Sequence, residues 1–338
     1  MKRKIILVTG GAGYIGSHTI VELIQAGYEV ISVDNFLNSD PKVFTEIEKI
    51  TGRKIKNYSI DLSDSSQLFS KLLISKPIYA VIHFAAKKSV PESIKEPLLY
   101  YENNIQSLIN ILEFCKINNI SRFIFSSSCS VYGDVKKSPV LEGFPLGKTI
   151  SPYGETKQIG ERILKDFSKS VIKFKSYALR YFNPAGAHPS LLIGDNSVGV
   201  NQGVVSILTK AILNRKTFPI LGNTYSTKDG TAMRDYVHVS DIALAHVLAI
   251  KNISSLKENF GVLNLGAGRG VTVLDLIKAF EKYINKKIFY KILPNRIGDI
   301  PKLYASNIKA KKEIGWTPKF SLKDIIETSY NWENKKND

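Results

Sequence analysis

The run Lys4–Val8, apolar from Ile5 on, breaks abruptly into TGGAGYIG (Thr9–Gly16), and Tyr14–Ala26 then carries apolar residues at helical spacing up to Gly27. A strand that turns into a helix through so many small residues leaves few architectures open. Gly10, Gly13 and Gly16 follow the pattern G-x-x-G-x-x-G, which lets the backbone turn tightly and approach a pyrophosphate. The helix that follows aims its first N–H groups and the positive end of its dipole at the same point. A glycine triplet alone often marks nothing more than a turn. Its place between a strand and a helix is what makes it a dinucleotide loop.

The strand–helix alternation continues. Glu29–Val33 reads as a strand ending at Asp34, and Asp40-Pro41 opens a helix. Lys54–Ile60 reads as a strand ending at Asp61, and Ser63-Asp64 caps a helix to about Ser75. Ile78–His83 and Arg122–Ser127 are buried strands separated by a long helical stretch, Pro97–Asn118; Tyr153–Ser170 is helical and Lys175–Leu179 a strand. Strands separated by helices give βαβ units, and right-handed crossovers build them into a parallel sheet. The expected fold is α/β, a doubly wound parallel sheet of Rossmann type with a smaller mixed α/β lobe. After Arg180 the rhythm loosens. Residues 185–235 are rich in Gly, Asn and Pro around one clear helix, Val204–Leu213, and Val262–Leu265, Val273–Tyr283, Ser306–Ile314 and Leu322–Glu333 close the chain. Residues 1–184 are expected to bind the dinucleotide, with further elements returning from about 235–265, and 185–338 to supply most of a substrate lobe.

Composition narrows the function classes. No apolar run approaches the ~18–20 residues that cross a bilayer, and the start, MKRKIILV, reaches its glycine loop too soon for a signal peptide. Cys115 and Cys129 are the two cysteines and suggest no disulfide framework, so a cytoplasmic location is expected. The net charge of +17 raises the question of nucleic acid, yet nine of the 47 basic residues are arginine and the charge is spread along the chain. Lys136-Lys137, Lys286-Lys287 and Lys311-Lys312 read as solvated faces. No nucleic-acid or membrane partner is expected; a positive field favours a small anionic ligand instead.

Tyr153 and Lys157 lie in SPYGETK, four residues apart and so on one face of a helix, about 140 residues beyond the glycine loop. Bringing a tyrosine from its usual pKa of ~10 toward neutrality takes about 4 kcal/mol. One cation ~5 Å away, at an effective dielectric near ~20, supplies about 3 kcal/mol before desolvation losses. Lys157 therefore needs a second positive charge beside it, such as an oxidised nicotinamide ring. Without the loop the pair would read as two solvent-facing residues on an amphipathic helix; with it, the pair reads as hydride chemistry. Asp34 stands 18 residues past Gly16 at the end of the second strand. There it suits an adenosine ribose and opposes a 2′-phosphate, so NAD is expected over NADP. Ser126-Ser127-Ser128 sits at the carboxyl end of a strand, where ligands bind in parallel sheets. A hydroxyl there would share the substrate's proton with Tyr153; plain strand-end capping is the other reading.

The segments TGGAGYIGSH, VIHFAA, YYENN, FIFSSSCSVYGD, SPYGETK, RYFNPAGAHPS, RDYVHVSDIA, NLGAGRG and RIGDIP follow one another across nearly the whole chain. In this order they resemble the extended short-chain dehydrogenase/reductases and, within them, the UDP-glucose 4-epimerases. The resemblance implies an isomerase that keeps NAD and regenerates it each turnover. Its reaction would be 4-epimerisation of a UDP-hexose, UDP-glucose or UDP-galactose, through a transient 4-keto sugar. Ser128, Tyr153 and Lys157 fall on the family's catalytic positions, Tyr153 as the base. Gly10, Gly13, Tyr14, Ile15, Gly16, Asp34, Asn35, Asp61, Leu62, Phe84, Ala85, Lys88, Asn103 and Phe182 fall on its NAD side, with Tyr153 and Lys157. Asn183, Arg234, Arg296 and Asp299 fall on UDP-sugar positions, joined by Lys88, Ser128, Tyr153 and Leu303. Two arginines suit a diphosphate, whose oxygens accept forked hydrogen bonds. No metal is implied. A homodimer is, through two helices per subunit, Pro97–Asn118 and Tyr153–Ser170.

Two positions depart from the family pattern. The uridine-side loop is Gln202-Gly203-Val204 in place of Asn-Asn-Leu, and Leu303 stands where strict glucose/galactose enzymes carry tyrosine. The intermediate size of Leu303 leaves open an epimerase acting on UDP-N-acetylglucosamine. A nucleotide-sugar dehydratase or decarboxylase is the neighbouring alternative, but a dehydratase would need an added acid/base pair beside the serine, where Cys129-Ser130 offers no carboxylate. Outside enzymes the chain would be an NAD-binding scaffold, and intact Ser128, Tyr153 and Lys157 stand against that.

Overall fold

Apolar parallel strands need both faces of their sheet covered, and the chain meets this by setting one sheet between two helical layers. The computed structural model describes residues 3–72, 74–196, 203–295 and 299–336. In chain order the first part runs β1 (Ile5–Thr9), α1 (Tyr14–Gln25), β2 (Glu29–Val33), α2 (Val43–Thr51), β3 (Lys56–Tyr58) and α3 (Ser65–Lys71). It continues with β4 (Ile78–His83), α4 (Val90–Lys95), α5 (Pro97–Ile117), β5 (Arg122–Ser128), α6 (Pro152–Ser170) and β6 (Lys175–Tyr181). With a late strand, Phe260–Leu265, these form one sheet in the order Phe260–Leu265, β6, β5, β4, β1, β2, β3, every pair parallel. The expected doubly wound sheet is present. Its strand order reverses at β1, so the binding crevice opens where the carboxyl ends of β1 and β4 meet.

All five residues of β1 are buried, because its alternate side chains enter two different cores. Ile6 and Val8 pack with Ile20 and Val21 of α1, Ile47 of α2 and Ile242 and Ile250 of the helix Val239–Asn252. Ile5 and Leu7 pack with Leu68 of α3, Leu108 and Ile111 of α5 and Leu164 of α6. A third core joins Val205, Leu208, Phe218, Ile220, Leu276, Phe280, Ile325 and Ile326 in the later part of the chain. There the sheets are small: Phe218–Leu221 pairs with Tyr290–Leu293, and Met233–Arg234 lies between Val271–Thr272 and Lys302–Leu303. No helix of the described residues is long and apolar enough to cross a membrane.

The differences from the sequence reading have physical causes. The strand expected over Lys54–Ile60 is confined to Lys56–Tyr58, because β2 offers it partners only at Ile31–Val33. Asp64 caps α3 as anticipated, accepting the Ser66 and Gln67 N–H groups, but the helix ends at Lys71 rather than near Ser75. The helix Val239–Asn252 was not anticipated at all. Ten of its 14 residues are buried, so it has no wet face and no polar–apolar contrast at period 3.6.

That helix anchors the C-terminal segment through one side chain. The buried Asp241 carboxylate accepts the Lys319 N–H at 2.9 Å and the Phe320 N–H at 3.0 Å, while its own carbonyl accepts the Trp316 indole N–H at 2.7 Å. Replacing Asp241 by alanine strands two backbone donors, so Asp241→Ala is expected to lose about 2–3 kcal/mol of unfolding free energy. Urea denaturation checks this; a loss under about 0.5 kcal/mol would mean water replaces the carboxylate freely.

Candidate active site

The glycine loop is built around contacts that exclude side chains. Gly10 adopts a left-handed φ of 69°, and a Cβ there would stand 2.7 Å from the Ala85 nitrogen. A Cβ on Gly16 would stand 2.2 Å from the Gly10 carbonyl oxygen. Gly13 begins α1 with no side-chain cap, and the first turn carries no acidic residue, so its N–H groups are left for an external anion. Asp34, just past β2, holds the loop from the other side. Its Oδ2 accepts the Ala12 N–H and its Oδ1 the Phe36 N–H and the Ser39 hydroxyl, each at 2.9 Å. A carboxylate oxygen has room for a second donor, so Asp34 retains capacity for a ribose hydroxyl.

These elements wall a cavity of about 370 Å³. Gly10, Gly13, Tyr14, Ile15, Gly16, Asp34, Asn35, Asp61, Leu62, Phe84, Ala85, Lys88, Asn103 and Phe182 all line it, and so do Ser128, Tyr153 and Lys157. The uncapped helix end, the clash-limited glycines and the spare acceptor capacity of the Asp34 carboxylate fit a dinucleotide. Leu37, Ser39, Ser126, Pro184, Asp195 and Gly203 line the cavity as well. Sequence reasoning had not placed Leu37, Ser39, Pro184 or Asp195 there; Ser39 announces itself only by its bond to Asp34, and Asp195 by no motif.

Tyr153 and Lys157 project from the first two turns of α6, which starts sharply because the Ser151 hydroxyl accepts the Gly154 N–H and Pro152 occupies the first helical position. The Lys157 ammonium is buried, donates to the Ser126 carbonyl at 2.7 Å and lies 5.0 Å from the centre of the Phe125 ring. Burial pulls its pKa down to about 7, against the pull of the Glu161 charge. Burial pushes the Tyr153 phenol up to about 12, although its hydrogen bond with Ser128 favours the phenolate. Burial thus disfavours the charged form of each group, the Tyr153 phenolate and the Lys157 ammonium alike.

Asn183, Arg234, Asp299 and Leu303 do not line this cavity; they form a second group beside it. Arg234 is ion-paired with Asp299 and donates to the Ile300 carbonyl at 2.7 Å. The Asn183 amide donates to the Asp235 carbonyl at 3.0 Å. Leu303 lies opposite Arg234 in the strand pair and packs with Val131, Tyr132 and Phe182. Phe182 belongs to both groups, and the Arg234 charge is felt at Cys129, next to Ser128. Arg296 and Gln202 lie outside the described residues.

Residues 6–266 match the family described as "NAD dependent epimerase/dehydratase family". The chain belongs to this family. A UDP-glucose 4-epimerase of Haemophilus influenzae is 41% identical over 97% of both chains. A crystal structure of UDP-glucose 4-epimerase from Bifidobacterium longum, in complex with NAD+ and UDP, is 42% identical, covers 99% of both chains and superposes with a TM-score of 0.93. A UDP-glucose-4-epimerase from Stenotrophomonas maltophila, with bound NAD and formylated UDP-arabinopyranose, is 38% identical over 99% of both chains, with a TM-score of 0.94. In this loop the Gly16 Cα faces the Gly10 carbonyl with no room for a side chain. Gly16→Ala is expected to keep the fold but lower NAD retention at least about tenfold, the effect of about 1.4 kcal/mol. Absorbance of NAD released from denatured protein measures this; full retention would show that the turn yields without harm.

Proposed function

We propose that this chain is a UDP-hexose 4-epimerase that uses NAD, interconverting UDP-glucose and UDP-galactose. The observation that carries the reading is that Ser128, Tyr153 and Lys157 line the same cavity as the glycine loop and Asp34. Bound NAD supplies a reversible hydride acceptor. The chain supplies the rest. Tyr153 takes the proton from the sugar C4 hydroxyl and returns it after the transient 4-keto sugar has turned over. Ser128 orients that hydroxyl, and the Lys157 ammonium stabilises the phenolate by its charge. Arg234 and the UDP diphosphate suit one another, and Asp299, now its ion-pair partner, would share it with the ligand. Residues 1–184, with the elements that return from about 235–265, form the NAD-binding part in this reading, and 185–338 mainly the UDP-sugar part.

Substrate breadth turns on Leu303. Its packing against Phe182, which also lines the cavity, supports a sugar pocket that admits a 2-N-acetyl group as well as a hydroxyl. The cytoplasm suits a chain whose two cysteines are both free. Homodimerisation through α5 and α6 is part of the same proposal. Leu98, 79% exposed, Ile105 and Ile109 repeat at intervals that return to one stripe of α5. Sedimentation should give a dimer for the wild-type chain and a lighter species for Ile109→Asp; a monomeric wild type would end that part.

Proton NMR of the sugar C4 configuration tests the activity. With UDP-galactose and no added cofactor, the purified protein is expected to form UDP-glucose, and Tyr153→Phe to be slower by roughly three orders of magnitude or more. Conversion by Tyr153→Phe at the wild-type rate would remove Tyr153 as the base, and no conversion even with added NAD would remove the substrate. UDP-N-acetylglucosamine in the same assay decides the role of Leu303: no turnover alongside good activity on UDP-galactose would exclude the wider pocket.

A further inference from the structure

One turn beyond Lys157, α6 buries a further ionisable residue, Glu161. Three donors from two strands hold its carboxylate. Arg180 of β6 grips it with a fork, Nε to Oε1 at 2.9 Å and Nη2 to Oε2 at 2.6 Å, and the Ser127 hydroxyl of β5 donates to Oε1 at 2.5 Å. Arg180 is fixed in turn, 4.7 Å over the Tyr132 ring. Ser127 is the middle of three consecutive serines. Its neighbours Ser126 and Ser128 line the cavity, and the Ser126 carbonyl is the acceptor for Lys157. One carboxylate therefore sets α6 against the end of β5 at the point where Ser128, Tyr153 and Lys157 must meet.

A buried ion pair is a weak source of stability, because apolar residues of similar volume commonly do as well. The surroundings of Lys157 give this pair another use. His83 faces Lys157 from β4, but burial and the Lys157 charge hold its pKa down to about 3, so it is neutral. Cys129 after β5 and Tyr181 of β6 face Tyr153, and burial keeps both uncharged near neutral pH. Asn103 and Ser107 of α5 contribute no charge to the cavity wall, Lys87, Lys88 and Glu92 contribute two positive charges and one negative, and Asp34, Asp61 and Asp195 line it elsewhere. Glu161 is the carboxylate whose field favours the Lys157 ammonium.

We propose that Glu161, clamped by Arg180 and Ser127, is a positioning residue for the proton transfer: it fixes the strand–helix register at Ser128 and keeps the Lys157 ammonium charged. The proposal rests on Tyr153 acting as the base.

The test is kcat against pH for the holoenzyme with UDP-galactose. In the active pair Lys157 carries its proton and Tyr153 does not. Neutralising residue 161 makes Lys157 easier to deprotonate, so in Glu161→Gln the alkaline limb should move to lower pH by about one unit. Above the limb that is about a tenfold loss; well below it the rate changes little. Bound NAD and KM for UDP-galactose should stay within about twofold. Glu161→Asp, which keeps the charge, should hold the limb in place. Gln alone leaves Arg180 buried without a counter-ion and can unfold the chain, so the double variant Glu161→Gln/Arg180→Met repeats the test with both charges gone. A shifted limb in either folded variant supports the proposal. An unmoved limb, or an equal loss at every pH, overturns it while leaving Tyr153→Phe to judge the base separately.

Discussion

Seven strands running the same way put all their carboxyl ends on one edge, and residues at the ends of five of them line or border the cavity. β1 ends in the glycine loop, β2 in Asp34, β4 in Phe84, β5 in Ser128 and β6 in Phe182. The arrangement follows from covering a parallel sheet on both faces. Each crossover must leave at the carboxyl edge and return through a helix, so the edge collects short turns that are free to carry polar groups. The reversal of strand order at β1 then parts the turns and opens the crevice.

Within the crevice, backbone proximity and buried charge do different things. The near contacts of Gly10 with Ala85 and of Gly16 with Gly10 make the cradle by leaving no room for side chains. At the other end, burial works against chemistry. It raises the pKa of Tyr153 and lowers that of Lys157, each away from its charged form, the form the proposed proton transfer requires. The reactive state therefore depends on neighbouring charge rather than on either residue's own preference. In the proposed mechanism this links Tyr153 and Lys157 to the Glu161–Arg180 ion pair, which lies deep in the sheet–helix interface.

Much of this was legible beforehand. The first half alternates strongly between apolar runs and amphipathic helices, so its strands were placed to within two residues at either end, Lys54–Ile60 being the least exact, and the residues expected on the NAD side line one cavity. The later part was less legible for identifiable reasons. The strands Met233–Arg234 and Lys302–Leu303 are two residues each and show no alternation. The helix Val239–Asn252 is wrapped by protein and shows no amphipathic stripe. The separation of Arg234, Asp299 and Leu303 from the main cavity reflects an ion pair and an apolar cluster formed by distant segments, which no local pattern encodes.

By itself the sequence determined the class of fold and the chemical pairings. Gly10, Gly13 and Gly16 between a strand and a helix, Asp34 at the next strand end, and Tyr153 with Lys157 one helical turn on are short-range statements, set by backbone sterics and helix period. The tertiary structure decided which distant groups share a field. Glu161 and Lys157 are neighbours in sequence, but the fork from Arg180 and the hydroxyl of Ser127 reach Glu161 only because β5 and β6 pair beneath α6. Charges act through space in a low-dielectric interior, and sequence distance carries no information about that.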